Sequence, residues 1–152
     1  MATKYADNYT GLYITKPHEK IRMGENAGRK RLLFDIYTLA YAAQVNDEIL
    51  CGFLPAGCRV IDAKVKISKS LGATGIFSLG AKANLEDAED ADSLIAAVDG
   101  GGQAALTGPS AASVGIHKRY ESKTQIFLTC TEVMDGAVLD GIISVEVEYV
   151  ND

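Results

Sequence analysis

The stretch DEILCGFLPAGCRVIDAKVKI, residues 47–67, decides the fold class. In its second half Ile61, Ala63, Val65 and Ile67 fall on one side, and Asp62, Lys64, Lys66 and Ser68 on the other. Such period-2 alternation marks a strand with one buried and one wet face. Ile49, Cys51 and Phe53 alternate in the same way before it. Between the two lies Pro55-Ala56-Gly57. Proline presets φ for the second position of a type I turn, and glycine accepts the left-handed conformation that follows. The two strands either pair as a hairpin or turn a corner between two sheets.

Working outward, the same pattern recurs on both sides. Upstream, Leu32, Phe34 and Ile36 alternate with Leu33, Asp35 and Tyr37 in a strand predicted from Arg31 to about Tyr41, and Asn46-Asp47 makes the next turn. Downstream, Phe77 and Leu79 share a face of a strand over residues 74–79 that Gly80 ends. Residues 114–120 and 124–132 predict two more strands. In the second, Ile126, Leu128 and Cys130 point one way and Phe127, Thr129 and Thr131 the other. The last strand alternates Ile143, Val145, Val147 and Tyr149 with Ser144, Glu146 and Glu148. One helix is expected between the strands. Leu85, Ala88, Ala91, Ile95 and Val98 recur at spacings of three and four, Asn84 or Asp92 could cap them, and acids crowd the first half, where the helix dipole favours them. Seven or eight short strands with Gly- and Pro-rich connections predict an all-β, antiparallel β-sandwich or jelly roll, with that one short inserted helix.

Composition agrees with a single globular domain. The chain has 152 residues, 47% hydrophobic and 23% charged, enough to bury a core. No apolar run approaches the roughly 20 residues of a membrane span, and MATKYADNYTG lacks the apolar centre of a secretory signal. Cys51, Cys58 and Cys130 are an odd number without CxxC spacing, which predicts buried free thiols and a reducing compartment.

The net charge of −5 conceals an asymmetry. Residues 1–31 hold seven Lys or Arg against three acids, and the remainder of the chain is strongly acidic. The basic leader either docks on an acidic surface or folds back on its own domain. An acidic body has the wrong sign for a phosphate backbone, so no nucleic-acid partner is expected. Residues 1–30 also lack sustained apolar periodicity, and Thr10-Gly11 and Pro17 argue against a helix. They are read as an extended N-terminal arm, with residues 31–152 as the β-sandwich domain. Tyr5, Tyr9 and Tyr13 suit an arm that binds something, each offering an apolar face with a polar tip.

No catalytic set emerges. His18 lies in the arm, His117 faces solvent from its strand, and no GxSxG or HExxH motif pairs a nucleophile with a base. The acidic run of residues 86–92 lacks the glycine and distal glutamate of a calcium loop, and Gly100-Gly101-Gly102 has no following GK[ST]. The chain is therefore expected to be no enzyme, and to use neither metal nor cofactor.

The string D-E-I-x-x-G-x-L-P-A-G-x-R-V of residues 47–60, the amphipathic strand after it and the Ser70-Leu71-Gly72-Ala73 break resemble a group of small structural proteins of tailed bacteriophages. Leu79-Gly80 and the acidic, alanine-rich residues 86–98 continue the match. The resemblance is to capsid decoration, or cement, proteins, and it implies a role on the outer surface of the virion after assembly in the host cytoplasm. The partners implied are the major capsid protein and the chain itself, as a homotrimer in preference to a homodimer, with no membrane. On that footing Tyr5, Tyr9, Tyr13, Lys16, Lys20, Arg22, Arg29 and Lys30 are the candidate capsid contacts. The alternatives are a head–tail joining or tail-tube subunit, and a displayed receptor- or glycan-binding module.

Overall fold

A computed structural model describes residues 3–5, 30–69, 75–82, 90–99, 106–108, 113–133 and 140–151. Within them the chain forms β1 (Thr3–Tyr5), β2 (Arg31–Thr38), β3 (Glu48–Leu54), β4 (Cys58–Ile67), β5 (Ile76–Lys82), β6 (Asp90–Asp99), β7 (Leu106–Thr107), β8 (Arg119–Tyr120), β9 (Thr124–Glu132) and β10 (Ile142–Asn151). One sheet has the order β1-β3-β9-β5-β6, and the other β2-β10-β4-β7 with β8 also on β4. All pairings are antiparallel except β1 on β3. The two sheets form a β-sandwich, as the strand pattern predicted.

The core lies between the sheets. Phe77, Leu79, Ile126 and Leu128 come from the first sheet, and Val65, Ile67, Val145 and Val147 from the second. Each fully buried side chain of this size contributes about 1.5–3 kcal/mol. β10 alternates as expected, and in β9 the expected inward row of Ile126, Leu128 and Cys130 joins the core. Cys51, Cys58 and Cys130 are free and buried. Two of their thiols donate to carbonyls, Cys51 Sγ to Ile49 O at 3.4 Å and Cys130 Sγ to Glu132 O at 3.1 Å.

Residues 55–57 turn a corner. β3 belongs to the first sheet and β4 to the second, so the two strands flanking the turn do not pair with each other. Gly57 has φ 77°, the left-handed conformation that the turn requires, and its N–H donates to Tyr120 O at 2.8 Å.

β4 departs from simple alternation. Its pairing with β10 slips between Glu148, opposite Asp62, and Tyr149, opposite Val60. Ile61 is the extra residue of a β-bulge. Cys58 and Val60 therefore face the core ahead of the bulge, and Ala63, Val65 and Ile67 after it. The expectation that Ile61 shares the core row is corrected: it is only half-buried.

The expected helix is absent among the described residues. Leu85 and Ala88 lie outside them, but Ala91, Ile95 and Val98 belong to strand β6, with Asp92 inside the strand and not at a helix cap. The reason is in the register with β5. Phe77 pairs with Val98, Leu79 with Ile95 and Ala81 with Asp90, so β6 carries extra residues at two irregularities. A bulge that adds one residue turns a spacing of two into three, and so imitates helical periodicity. Burial of Leu94, Ile95 and Val98 against the opposite sheet decides the conformation over the helix propensity of alanine.

Residues 114–120 are also not one strand. Residues 114–117 form a turn, and only Arg119–Tyr120 pair with β4. Gly115 N–H donates to Ser93 O on β6 and His117 N–H to Val60 O on β4, both at 2.7 Å. This turn ties β6 of the first sheet to β4 of the second. At the opposite end β2 stops at Thr38, short of Tyr41. Leu39 exchanges backbone hydrogen bonds with Asp140 and Gly141 instead.

Candidate functional site

No described residues form a catalytic arrangement. His117 is exposed, and among the described residues no group of three or more His, Cys, Asp or Glu could hold a metal ion. No helix among them is long and apolar enough to cross a membrane. The candidate chemistry is that of surfaces.

Of the predicted contact residues, two are described. Tyr5 lies in β1 opposite Leu50 of β3, at the margin of the first sheet. Lys30 stands just ahead of β2 and pairs with Glu148 of β10 at 3.2 Å. Tyr9, Tyr13, Lys16, Lys20, Arg22 and Arg29 lie outside the described residues. The 24 residues between Tyr5 and Lys30 thus leave one sheet of the domain and return to the other.

The outer faces of the two sheets differ sharply. Register places Leu50, Phe127, Gln125, Thr129 and Ser78 together on the outside of the first sheet. All are buried, Phe127 to 1% exposure, although no described strand lies over them. The outside of the second sheet is open. Its register sets three rows across β2, β10 and β4: Leu32–Glu148–Asp62, Phe34–Glu146–Lys64 and Ile36–Ser144–Lys66. The β2 column is apolar, with Leu32 exposed at 56%, Phe34 at 39% and Ile36 half-buried; Ile142, one row on beside Thr38, is at 43%.

Two ion pairs lie on this face, Lys30 with Glu148 and Lys64 with Asp62. Lys64 Nζ lies 3.0 Å from Asp62 Oδ2. That hydrogen bond and the charge of Asp62, with smaller contributions from Glu148 and Glu146, raise the Lys64 pKa above its ordinary value. The buried side of β2 behaves differently. Asp35 points inward, accepts from the Ile36 N–H at 2.8 Å and, after burial itself, is a cause of the raised pKa of the Cys51 thiol. Burial pushes the Tyr37 phenol up to about 12, helped by Tyr41 and Asp47.

The outward row is what sequence reasoning left unassigned. Both faces of β2 carry apolar residues, so alternation alone does not say which is wet. The available signal was Tyr37: a large aromatic in phase with Asp35 and the continuing Leu39.

No protein-family model and no curated protein matches the sequence. Solved structures do match. A chain from the capsid of Ralstonia phage GP4 superposes with a TM-score of 0.74 over 99% of both chains, at 19% identity. The fold is one found in phage capsids. A chain of the cyanophage Pam1 capsid asymmetric unit follows at TM-score 0.61 and 14% identity, covering 93% of this chain and 100% of that one. A chain from the acidic stable capsid of Helicobacter pylori bacteriophage KHP30 gives 0.56 at 12% identity, over 85% and 91%.

Proposed function

We propose that this chain is a structural protein of a phage head, a decoration or cement protein that binds the outside of the major capsid protein shell as a homo-oligomer, a trimer in preference to a dimer. The observation that carries this reading is the end-to-end likeness to a chain of the Ralstonia phage GP4 capsid, which extends over 99% of both chains. A β-sandwich with free buried thiols and an outer face of exposed apolar and charged side chains suits a protein whose work is to fold stably and present surfaces.

The mechanism is thermodynamic. A protein that binds only the assembled shell favours the shell by mass action. Copies linked to one another add avidity, since each bound copy raises the effective concentration of the next. Residues 1–30 act as an arm joined to the sandwich of residues 31–152, with β1 held on β3 and Lys30 on Glu148. Its tyrosines Tyr5, Tyr9 and Tyr13 and its cations Lys16, Lys20, Arg22, Arg29 and Lys30 contact acidic ground on the shell. Neither cofactor, metal, nucleic acid nor membrane takes part.

Copy number on purified particles tests the reading. Many copies spread over the shell support it, and a single ring at one vertex overturns it in favour of a joining or tube subunit. The arm is tested by replacing Lys16, Lys20 and Arg22 together with alanine. The expected result is a folded chain that attaches more weakly to shells lacking it, with a shallower dependence on salt. Unchanged attachment removes the arm's charge from the mechanism.

A further inference from the structure

We infer that residues 6–29 lie across the outside of the first sheet, as a third layer on β3, β9 and β5. The inference stands apart from the decoration reading, which needs the arm only to reach the shell.

The face itself shows that part of this chain is on it. Leu50, Gln125, Phe127, Thr129 and Ser78 point away from the core, yet each is buried. The burial has limits. Thr131, the next outward residue of β9, is exposed, and so are Ala96 and Ala97 of β6. Leu54 pairs with Thr124, so the buried ground is the part nearest β3 and the turn at residues 55–57.

Residues 6–29 begin and end beside that ground. Tyr5 stands opposite Leu50, and β1, parallel to β3, runs toward the same turn. At the other end Lys30 precedes Arg31, which shares Tyr149 of β10 with Val60, near the start of β4. β2 in turn packs on β3, with Leu33 beside Gly52. Both ends therefore stand on the β3 margin, and 24 residues join them. From β3 to β5 is two strand spacings, about 10 Å, so this stretch is long enough to cross and return. Every other undescribed stretch between strands has seven residues or fewer and is tied at both ends to the strands it joins.

The sequence of the stretch suits the place. Leu12 and Ile14 alternate with Tyr13, and Ile21 and Met23 with Lys20 and Arg22. Laid extended, each piece turns its apolar side chains to Phe127 and Leu50 and the others away. Ser78 Oγ and Thr129 Oγ1, neighbours in one row, are buried without a hydrogen-bond partner among the described residues. The backbone N–H and C=O groups of an extended chain are what such hydroxyls need. Lys20 and Arg22 are then held outward on a firm base, which lowers the ordering cost of any contact they make.

Iodoacetamide labelling of a cysteine placed on the face, read by intact mass on the full chain, tests this. Cys51, Cys58 and Cys130 are buried, so the wild type sets the background. Ser78→Cys is expected to label slowly, and Ala97→Cys, on the exposed part of β6, quickly. Adding Leu12→Glu with Ile14→Glu, or Ile21→Glu with Met23→Glu, is expected to speed labelling of Ser78→Cys about tenfold or more. Labelling of Ser78→Cys as fast as Ala97→Cys overturns the inference, and so does labelling that neither arm pair changes. Should the arm variants fail to fold, amine cross-linking of the wild type decides. Links from Lys16 or Lys20 to Lys82 of the same copy, in the row of Gln125, are expected, and their absence overturns the inference. Faster labelling in a chain never found on particles would leave the inference standing and the decoration reading fallen.

Discussion

Leu33 on β2 lies against the Cα of Gly52 on β3, so closely that a Cβ at position 52 would stand 3.2 Å from Leu33 Cδ1. The contact joins the two sheets where β3 bulges, its register with β9 slipping between Leu50 and Gly52. Gly52 also has φ 141°, a conformation that L side chains rarely adopt. Gly52→Ala therefore meets both strain and overpacking, and is expected to cost about 1–3 kcal/mol in chemical denaturation. At Gly57 a Cβ meets nothing within 4 Å and only the φ of 77° opposes it, so Gly57→Ala should cost about 1–2 kcal/mol. Equal melting temperatures for Gly52→Ala and the wild type would show that the sheets part there without penalty.

The clasp of residues 113–117 depends on another glycine. A Cβ on Gly115 would come 2.7 Å from Tyr120 Oη and 2.9 Å from Ser93 O. The second neighbour is backbone and cannot swing away. Gly115→Ala is expected to break the Gly115 N–H to Ser93 O hydrogen bond, lower stability by about 1–3 kcal/mol and quicken proteolytic nicking in residues 113–123. Limited proteolysis with mass spectrometry reads the site directly.

The bulge at Ile61 makes a prediction about deletions. Removing Ile61 restores simple alternation of Cys58, Val60, Ala63, Val65 and Ile67 on the inner face. Removing Lys64 instead displaces half of that row to the solvent face. Deletion of Ile61 should leave a folded protein, weakened by lost twist, whereas deletion of Lys64 should abolish the cooperative melt. Comparable stability for the two would contradict the register.

Alkaline pH should unfold the protein through its buried phenols and thiols. The Tyr37 phenol is raised from 10.0 to about 12, with burial the largest cause. The unfolded chain loses that proton from about pH 10 while the folded one keeps it. Its contribution is therefore complete below about pH 10 and falls away as pH rises to about 12, by on the order of 2 kcal/mol. Cys51 and Tyr149, also raised by burial, act in the same direction. Tyr37→Phe should flatten part of the decline in denaturation curves taken from about pH 9 to about pH 12. An identical decline in that variant would place the sensitivity elsewhere.

The likeness to phage capsid chains rests on fold, at 12–19% identity, and the residues that carry the chemistry of contact are this chain's own. Much of the sandwich was legible in the residues alone. Wherever one face of a strand is apolar and the other charged, as in β10 with Val145 and Val147 against Glu146 and Glu148, only one orientation avoids burying charge. The turn at residues 55–57 and the three free thiols were legible for similar local reasons, proline and glycine dihedrals in one case and odd, unspaced cysteines in the other.

Tertiary structure decided the rest. Whether β3 and β4 pair or part at a corner depends on partners distant in sequence, β9 for one and β10 for the other. The bulges in β4 and β6 come from register with those partners, and they moved Ile61 out of the core row and turned a helical spacing into a strand. β2 is the sharpest case. Leu32, Phe34 and Ile36 are more apolar than Leu33, Asp35 and Tyr37, which alternate with them, yet burial of Tyr37 and Leu39 turns them outward and takes Asp35 inside. By itself the sequence determined a β-sandwich; which apolar row it leaves exposed was decided by the packing of one sheet on the other.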